Sequence, residues 1–120
     1  MARAKTICID FDGTISDYSK GWQGDEKFGD IFPGAAKAIG TLKAMGWRIF
    51  IFTCREDNQA LRDYLKENGI PFDGINTGQQ EGSPKPVADV YIDDKGLRFE
   101  GNWMKSLEDI LKFKPWWEGK

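Results

Sequence analysis

A parallel β-sheet covered by helices on both faces, in three layers and one domain, is the fold that this 120-residue chain predicts. Two observations carry the prediction. Short apolar runs of strand length alternate along the chain with stretches of helical periodicity, and that order belongs to parallel α/β sheets. The punctuation between them is of the kind that stops one element and starts the next: Pro33, Gly46, Asn68-Gly69 and Asn102.

Thr6–Phe11 is the first strand, short and apolar. The polar, Gly-rich stretch Asp12–Ile31 follows as a loop or small hairpin. Pro33 opens a helix on which Ala35, Ala38, Ile39, Leu42 and Met45 recur at helical spacing, with Gly46 as terminator. Trp47–Thr53 is the second strand. Asp57–Asn68 is the second helix, with Ala60, Leu61, Tyr64 and Leu65 on one face. Phe72–Ile75 is a short third strand, and Asn76–Pro86 is loop by its density of Gly, Ser and Pro. Ala88–Ile92 is a fourth strand and Leu97–Phe99 a weaker fifth. Asn102 caps a last helix carrying Trp103, Leu107, Ile110 and Leu111.

Composition bounds the function. A net charge of −2 with both signs interspersed lacks the basic stripe of a protein that binds nucleic acid through bulk electrostatics. A local patch for nucleic acid stays open. No apolar run is long enough for a membrane helix, and Met1–Lys5 is too short for a signal peptide, so a cytoplasmic protein is expected. Cys8 and Cys54 have neither zinc nor redox spacing and read as reduced packing residues. The chain has no His, so any proton transfer falls to carboxylates, Lys, Tyr or Cys.

In open parallel sheets the ligand lies beyond the carboxyl ends of the strands. The first strand ends in Asp10-Phe11-Asp12-Gly13-Thr14. Alternation puts Asp10 and Asp12 on the same side, and two close acids after a buried strand call for a positive partner. A hard cation such as Mg²⁺ fits, because it takes a few carboxylate oxygens plus water and phosphate. A lone Asp-Gly would be an ordinary turn; the whole pentapeptide after a strand is more specific. The second strand ends in Thr53, whose hydroxyl can donate to a phosphoryl oxygen, and the fourth ends in Asp93-Asp94. Adjacent strand residues diverge, so one of these two acids is expected to face a metal. Lys85 lies between, in Ser83-Pro84-Lys85-Pro86.

Taken in order, these residues resemble the four motifs of the haloacid dehalogenase superfamily over roughly residues 5 to 100. Asp10-Phe11-Asp12-Gly13-Thr14 is similar to the first motif, Phe50-Ile51-Phe52-Thr53 to the second, Lys85 to the third and Ile92-Asp93-Asp94 to the fourth. The resemblance implies a Rossmann-like domain and Mg²⁺-dependent hydrolysis of phosphomonoesters. Asp10 would be the nucleophile and Asp12 the general acid and base. Asp10, the carbonyl of Asp12, and Asp93 would hold Mg²⁺, with Asp94 as the substitute for Asp93. Thr53 and Lys85 would bind the phosphoryl group, with Gly13, Thr14 and Arg55 beside it. An Asp at position 12 favours phosphate chemistry over dehalogenation.

Two features set this chain apart. Pro84, Pro86 and the short interval from Lys85 to Asp93 leave no room for the helix that commonly separates these motifs, so Arg55 and Lys95 are substitutes for Lys85. Neither Thr14–Phe32 nor Asn76–Pro86 can hold a cap domain. An open site is therefore expected, suited to a large phosphorylated substrate or to one shielded by a neighbouring subunit. Tyr18, Trp22 and Phe28 either cover the site or pack on the body, and Trp116 and Trp117 form a docked tail or a homo-oligomer contact. The alternatives are a phosphotransferase, a nucleic-acid end-processing phosphatase, and a non-catalytic binding module on the same fold. A phosphoacceptor receiver domain is disfavoured, because its acceptor Asp lies on a later strand than its paired acids.

Overall fold

The first strand, β1 (Thr6–Ile9), is buried along its whole length because it runs through the middle of the sheet. A computed structural model describes residues 4–77 and 87–118. The other elements are α1 (Ala35–Ala44), β2 (Arg48–Ile51), α2 (Gln59–Glu67), β3 (Gly74–Ile75), β4 (Val90–Ile92) and α3 (Trp103–Lys112). The strand order is β3-β2-β1-β4, with every pairing parallel. An α/β fold with a parallel sheet is thus what the alternating sequence forms.

Register explains which residues become core. Ile7 and Ile9 pair with Ile49 and Ile51, so these four side chains share one face. They pack with Ile75, with Ile39 of α1 and with Leu61 and Leu65 of α2. Both of these helices therefore lie on the same side of the sheet. The opposite face carries Cys8, Phe50 and Tyr91 in one row.

Local chemistry sets the element ends. β1 stops at Ile9, short of the expected Phe11, because the Phe11 carbonyl turns to accept the N–H groups of Thr14, Ile15 and Ser16. The Asn58 side chain accepts from Leu61 N–H at 2.8 Å and starts α2. Asn58→Ala is expected to lower stability by about 1 kcal/mol, the usual worth of such a cap, read by urea denaturation at constant slope. The Asp73 carboxylate takes the N–H of Ile49 and the Lys43 ammonium, tying α1, β2 and the start of β3 together.

Two expectations need correction. Leu97–Phe99 is irregular chain, not a fifth strand. The last helix forms where expected, and Asn102 accepts from Met104 and Lys105 N–H. Yet no residue of α3 is buried, and Trp103, Met104 and Leu111 are exposed. Among the described residues, the packed helices therefore cover one face of the sheet.

Candidate functional site

Three chain segments converge beyond the carboxyl ends of β1, β2 and β4. Asp10 N–H donates to Ile92 O at 3.0 Å, which brings the exit of β1 against the loop after β4. Gly13 then turns with φ +85°, and a Cβ there would run into the Asp94 carboxylate and the Trp117 indole nitrogen. Only glycine permits that approach. The result is a cleft of about 340 Å³ whose walls include Asp10, Asp12, Thr53, Asp93, Asp94 and Lys95.

Asp10 and Asp94 face each other closely enough to interact directly. Burial pushes the Asp10 carboxyl up to about 7, and the hydrogen bond and charge of Asp94 push the same way. The Phe11 backbone and the Thr14 hydroxyl, 3.3 Å from Oδ2, oppose the rise. Two half-buried carboxyls in this relation repel when both are ionised.

Asp93 is directed elsewhere. Its Oδ1 accepts the backbone N–H groups of Lys95 and Gly96, closing a turn after β4. Of the two adjacent acids, Asp94 is the one brought to Asp10. Trp117 Nε1–H donates to Asp94 Oδ2, and Trp116 Nε1–H to the Gly13 carbonyl at 2.8 Å. The tail thus docks on both acid-bearing loops. Its signal in the sequence was only two adjacent tryptophans.

Asp12 has a different partner. Both of its oxygens accept from Arg55, Oδ2 from Nε at 2.7 Å and Oδ1 from Nη2 at 2.9 Å. Arg55 also donates to the carbonyls of Gly24 and Lys27. Its guanidinium sits over the rings of Phe11, Trp22 and Phe28. Side-chain exposure is 5% for Arg55 and 18% for Asp12, so the pair is largely withdrawn from water. Arg55 therefore fixes Asp12 and the loop over residues 14–32, with four of its five N–H donors engaged on them. That loop closes at its base through Asp17 N–H to Asp30 O and Phe32 N–H to Ile15 O. At Gly29 a Cβ would overlap the Asp17 carbonyl.

Thr53 lines the cleft, and its hydroxyl oxygen accepts Arg55 N–H at 3.2 Å. Asn76 holds this loop in place. Its side chain accepts from Thr53 N–H and donates to Arg55 O, both at 2.8 Å, while its own backbone sits at φ 54°. Asn tolerates that conformation better than most residues. In the sequence Asn76 only heads a stretch rich in Gly, Ser and Pro, with no local mark of this role. Lys85 lies outside the described residues. Lys95 stands at the cleft wall, its ammonium 5.9 Å from the Trp117 ring centroid.

No protein-family model matches the chain, and no curated protein matches it. A solved structure, that of a conserved protein from Bacteroides thetaiotaomicron, superposes with a TM-score of 0.64 at 27% identity over 93% of each chain. No described helix is long and apolar enough to cross a membrane.

Proposed function

We propose that this protein is a Mg²⁺-dependent phosphomonoester hydrolase of the haloacid dehalogenase type, working through Asp10. The observation that carries the proposal is the approach of Asp10 and Asp94 at the ends of adjacent strands, with the Thr14 hydroxyl on Asp10. Mutually repelling carboxyls beside an open cleft are the arrangement that a hard cation relieves. Among the described residues, no group of three or more His, Cys, Asp or Glu side chains is placed to hold a metal ion. A pair of carboxylates is nevertheless enough for Mg²⁺, which keeps several waters and takes the rest from substrate phosphate. Asp10 and Asp94 would hold the ion, and when bound it supplies charge neutralisation for the phosphoryl oxygens.

The residues then divide the work. An Asp10 oxygen attacks phosphorus, the bond from phosphorus to the ester oxygen breaks, and the phosphoryl group is left on Asp10. Asp12 gives its proton to the departing oxygen. Water next attacks the same phosphorus and yields its proton to Asp12, and the bond to Asp10 breaks to release phosphate. Each Asp12 oxygen accepts one guanidinium bond and keeps a second acceptor site. Asp12 is the ion-pair partner of Arg55 in the resting protein, so its acid role requires that it first take up a proton, with one Arg55 bond giving way. Thr53 donates to a phosphoryl oxygen, and Lys85 or Lys95 supplies the positive charge. In this reading the sheet is the Rossmann-like sheet of capless members, lacking a formed second helical layer among the described residues.

The test is phosphate release from a broad phosphoester panel, with Mg²⁺ and with chelator. Metal-dependent release is expected, and Asp10→Asn should bring it to background. Release that persists in purified Asp10→Asn protein would overturn the assignment of the nucleophile. Asp12→Asn is expected to slow turnover by about 10²- to 10⁴-fold, the usual range for a lost acid–base group.

A further inference from the structure

The two indole N–H groups of the tail are spent on the site itself. Trp117 donates to the carboxylate of Asp94, and Trp116 donates to the carbonyl of Gly13, from which it is 103 residues distant in sequence. An indole has one donor and no acceptor, so each of these choices is directional. The ring positions are fixed as well. Tyr18 meets Trp117 edge to face with centroids 5.3 Å apart, and Lys95 lies over the same ring. Phe32 meets Trp116 at 5.1 Å. Gly13, Asp94 and Trp117 pack closely together, since a Cβ on Gly13 would strike both of the others.

We propose that Trp117 is a positioning residue for Asp94, its indole N–H turning that carboxylate toward Asp10 and so setting the affinity of the site for Mg²⁺. The inference rests on the reading that Asp10 and Asp94 hold the ion. An Asp94 carboxylate on a short loop could rotate into solvent. A single donor on Oδ2, backed by a ring clamped between Tyr18 and Lys95, selects the rotamer that faces Asp10. It leaves Oδ1 and the remaining Oδ2 acceptor site for the cation. Outer partners of this kind typically control about 10- to 100-fold in metal affinity. Trp116 anchors the same segment to the other acid-bearing loop. The tail thereby covers one side of the site.

Trp117→Phe keeps a ring between Tyr18 and Lys95 and removes only the donor. With an unchanged far-ultraviolet spectrum, the variant should bind Mg²⁺ about 10-fold or more weakly by calorimetric titration. Its phosphate release should recover when Mg²⁺ is raised, a loss in metal affinity and not in kcat. Mg²⁺ should also shift the assigned Trp117 indole N–H resonance in wild-type protein, a readout that does not depend on how the variant folds. Asp94→Asn should bind little Mg²⁺. If Asp94→Asn loses binding while Trp117→Phe stays within twofold of wild type, or the Trp117 resonance does not move, the positioning role is wrong and the metal site stands. If wild-type protein binds no Mg²⁺, both fall together.

Discussion

Arg55→Ala is expected to be the most damaging single substitution away from the sheet, lowering the free energy of unfolding by about 3 kcal/mol or more. That is the range for removing one partner of a buried ion pair and leaving the other charge uncompensated. Arg55 offers four hydrogen bonds, two to Asp12 and one each to the Gly24 and Lys27 carbonyls. All lose their donor at once, and three aromatic rings lose the cation between them. Arg55→Lys should recover less than half of the loss, because an ammonium cannot copy a planar fork that serves Asp12 with two parallel bonds. The Arg55→Ala, Asp12→Asn double variant should be more stable than Arg55→Ala alone, since it removes the stranded charge. Urea denaturation of wild type, Arg55→Ala, Asp12→Asn and the double variant measures the cycle. A change below about 1 kcal/mol for Arg55→Ala would mean that water solvates Asp12 and that the pair acts only at the surface.

The second large effect concerns pH in the absence of metal. The Asp10 carboxyl, at about 7 in the folded protein, titrates near 3.8 when unexposed to these neighbours. Between those values the folded state holds a proton that the unfolded state has released. Stability from this group is therefore full below about pH 4 and falls as pH rises toward 7. The acids held below their usual value, Asp17, Asp57 and Asp73, act in the opposite direction and in a separate window, losing their contribution only as pH drops below the ordinary carboxylate range. In chelator, the melting temperature of wild-type protein should fall from about pH 5 to about pH 8. Asp10→Asn should abolish most of that slope and be the more stable protein at the alkaline end. The same substitution that ends turnover would thus stabilise the fold. Asp94→Asn should flatten the slope only in part, because burial is the largest cause of the shift and remains. A wild-type slope equal to that of Asp10→Asn would show that Asp10 is neither buried nor met by Asp94 in solution.

The parallel sheet was legible because each strand is a short apolar run bounded by Gly, Pro or Asn, and period alone separates it from the helices. Helix starts at Asn58 and Asn102 follow from side-chain chemistry that acts over three residues. What sequence reasoning missed acts over longer distances. Arg55 meets Asp12 across 43 residues, and an Arg after a strand has no local mark that distinguishes a buried partner from a surface charge. The choice between Asp93 and Asp94 depends on a turn: Asp93 closes it by accepting two backbone N–H groups, and this swings Asp94 inward. Leu97–Phe99 has strand composition but forms no ladder, since composition alone does not supply a neighbouring edge. For α3 the helical period was right, but period cannot say whether an apolar stripe finds a surface to cover.

The position of β1 has a consequence for how the molecule assembles. It precedes every other strand in the chain yet lies between two of them: Ile7 pairs with Ile49 on one side and with Val90 on the other. During synthesis the segment bearing Asp10 emerges before either neighbour exists. It must wait, apolar on both faces, for partners supplied much later. Loop closures of that length slow folding relative to helical bundles of similar size. The last link is later still, because Trp116 and Trp117 reach back to Gly13 and Asp94 after α3 has been made. A nascent chain halted before Pro115 would carry the sheet and every acid of the site, with the acid pair left open to water. Completion of the site is thereby tied to synthesis of a tail that lies 103 residues beyond Gly13.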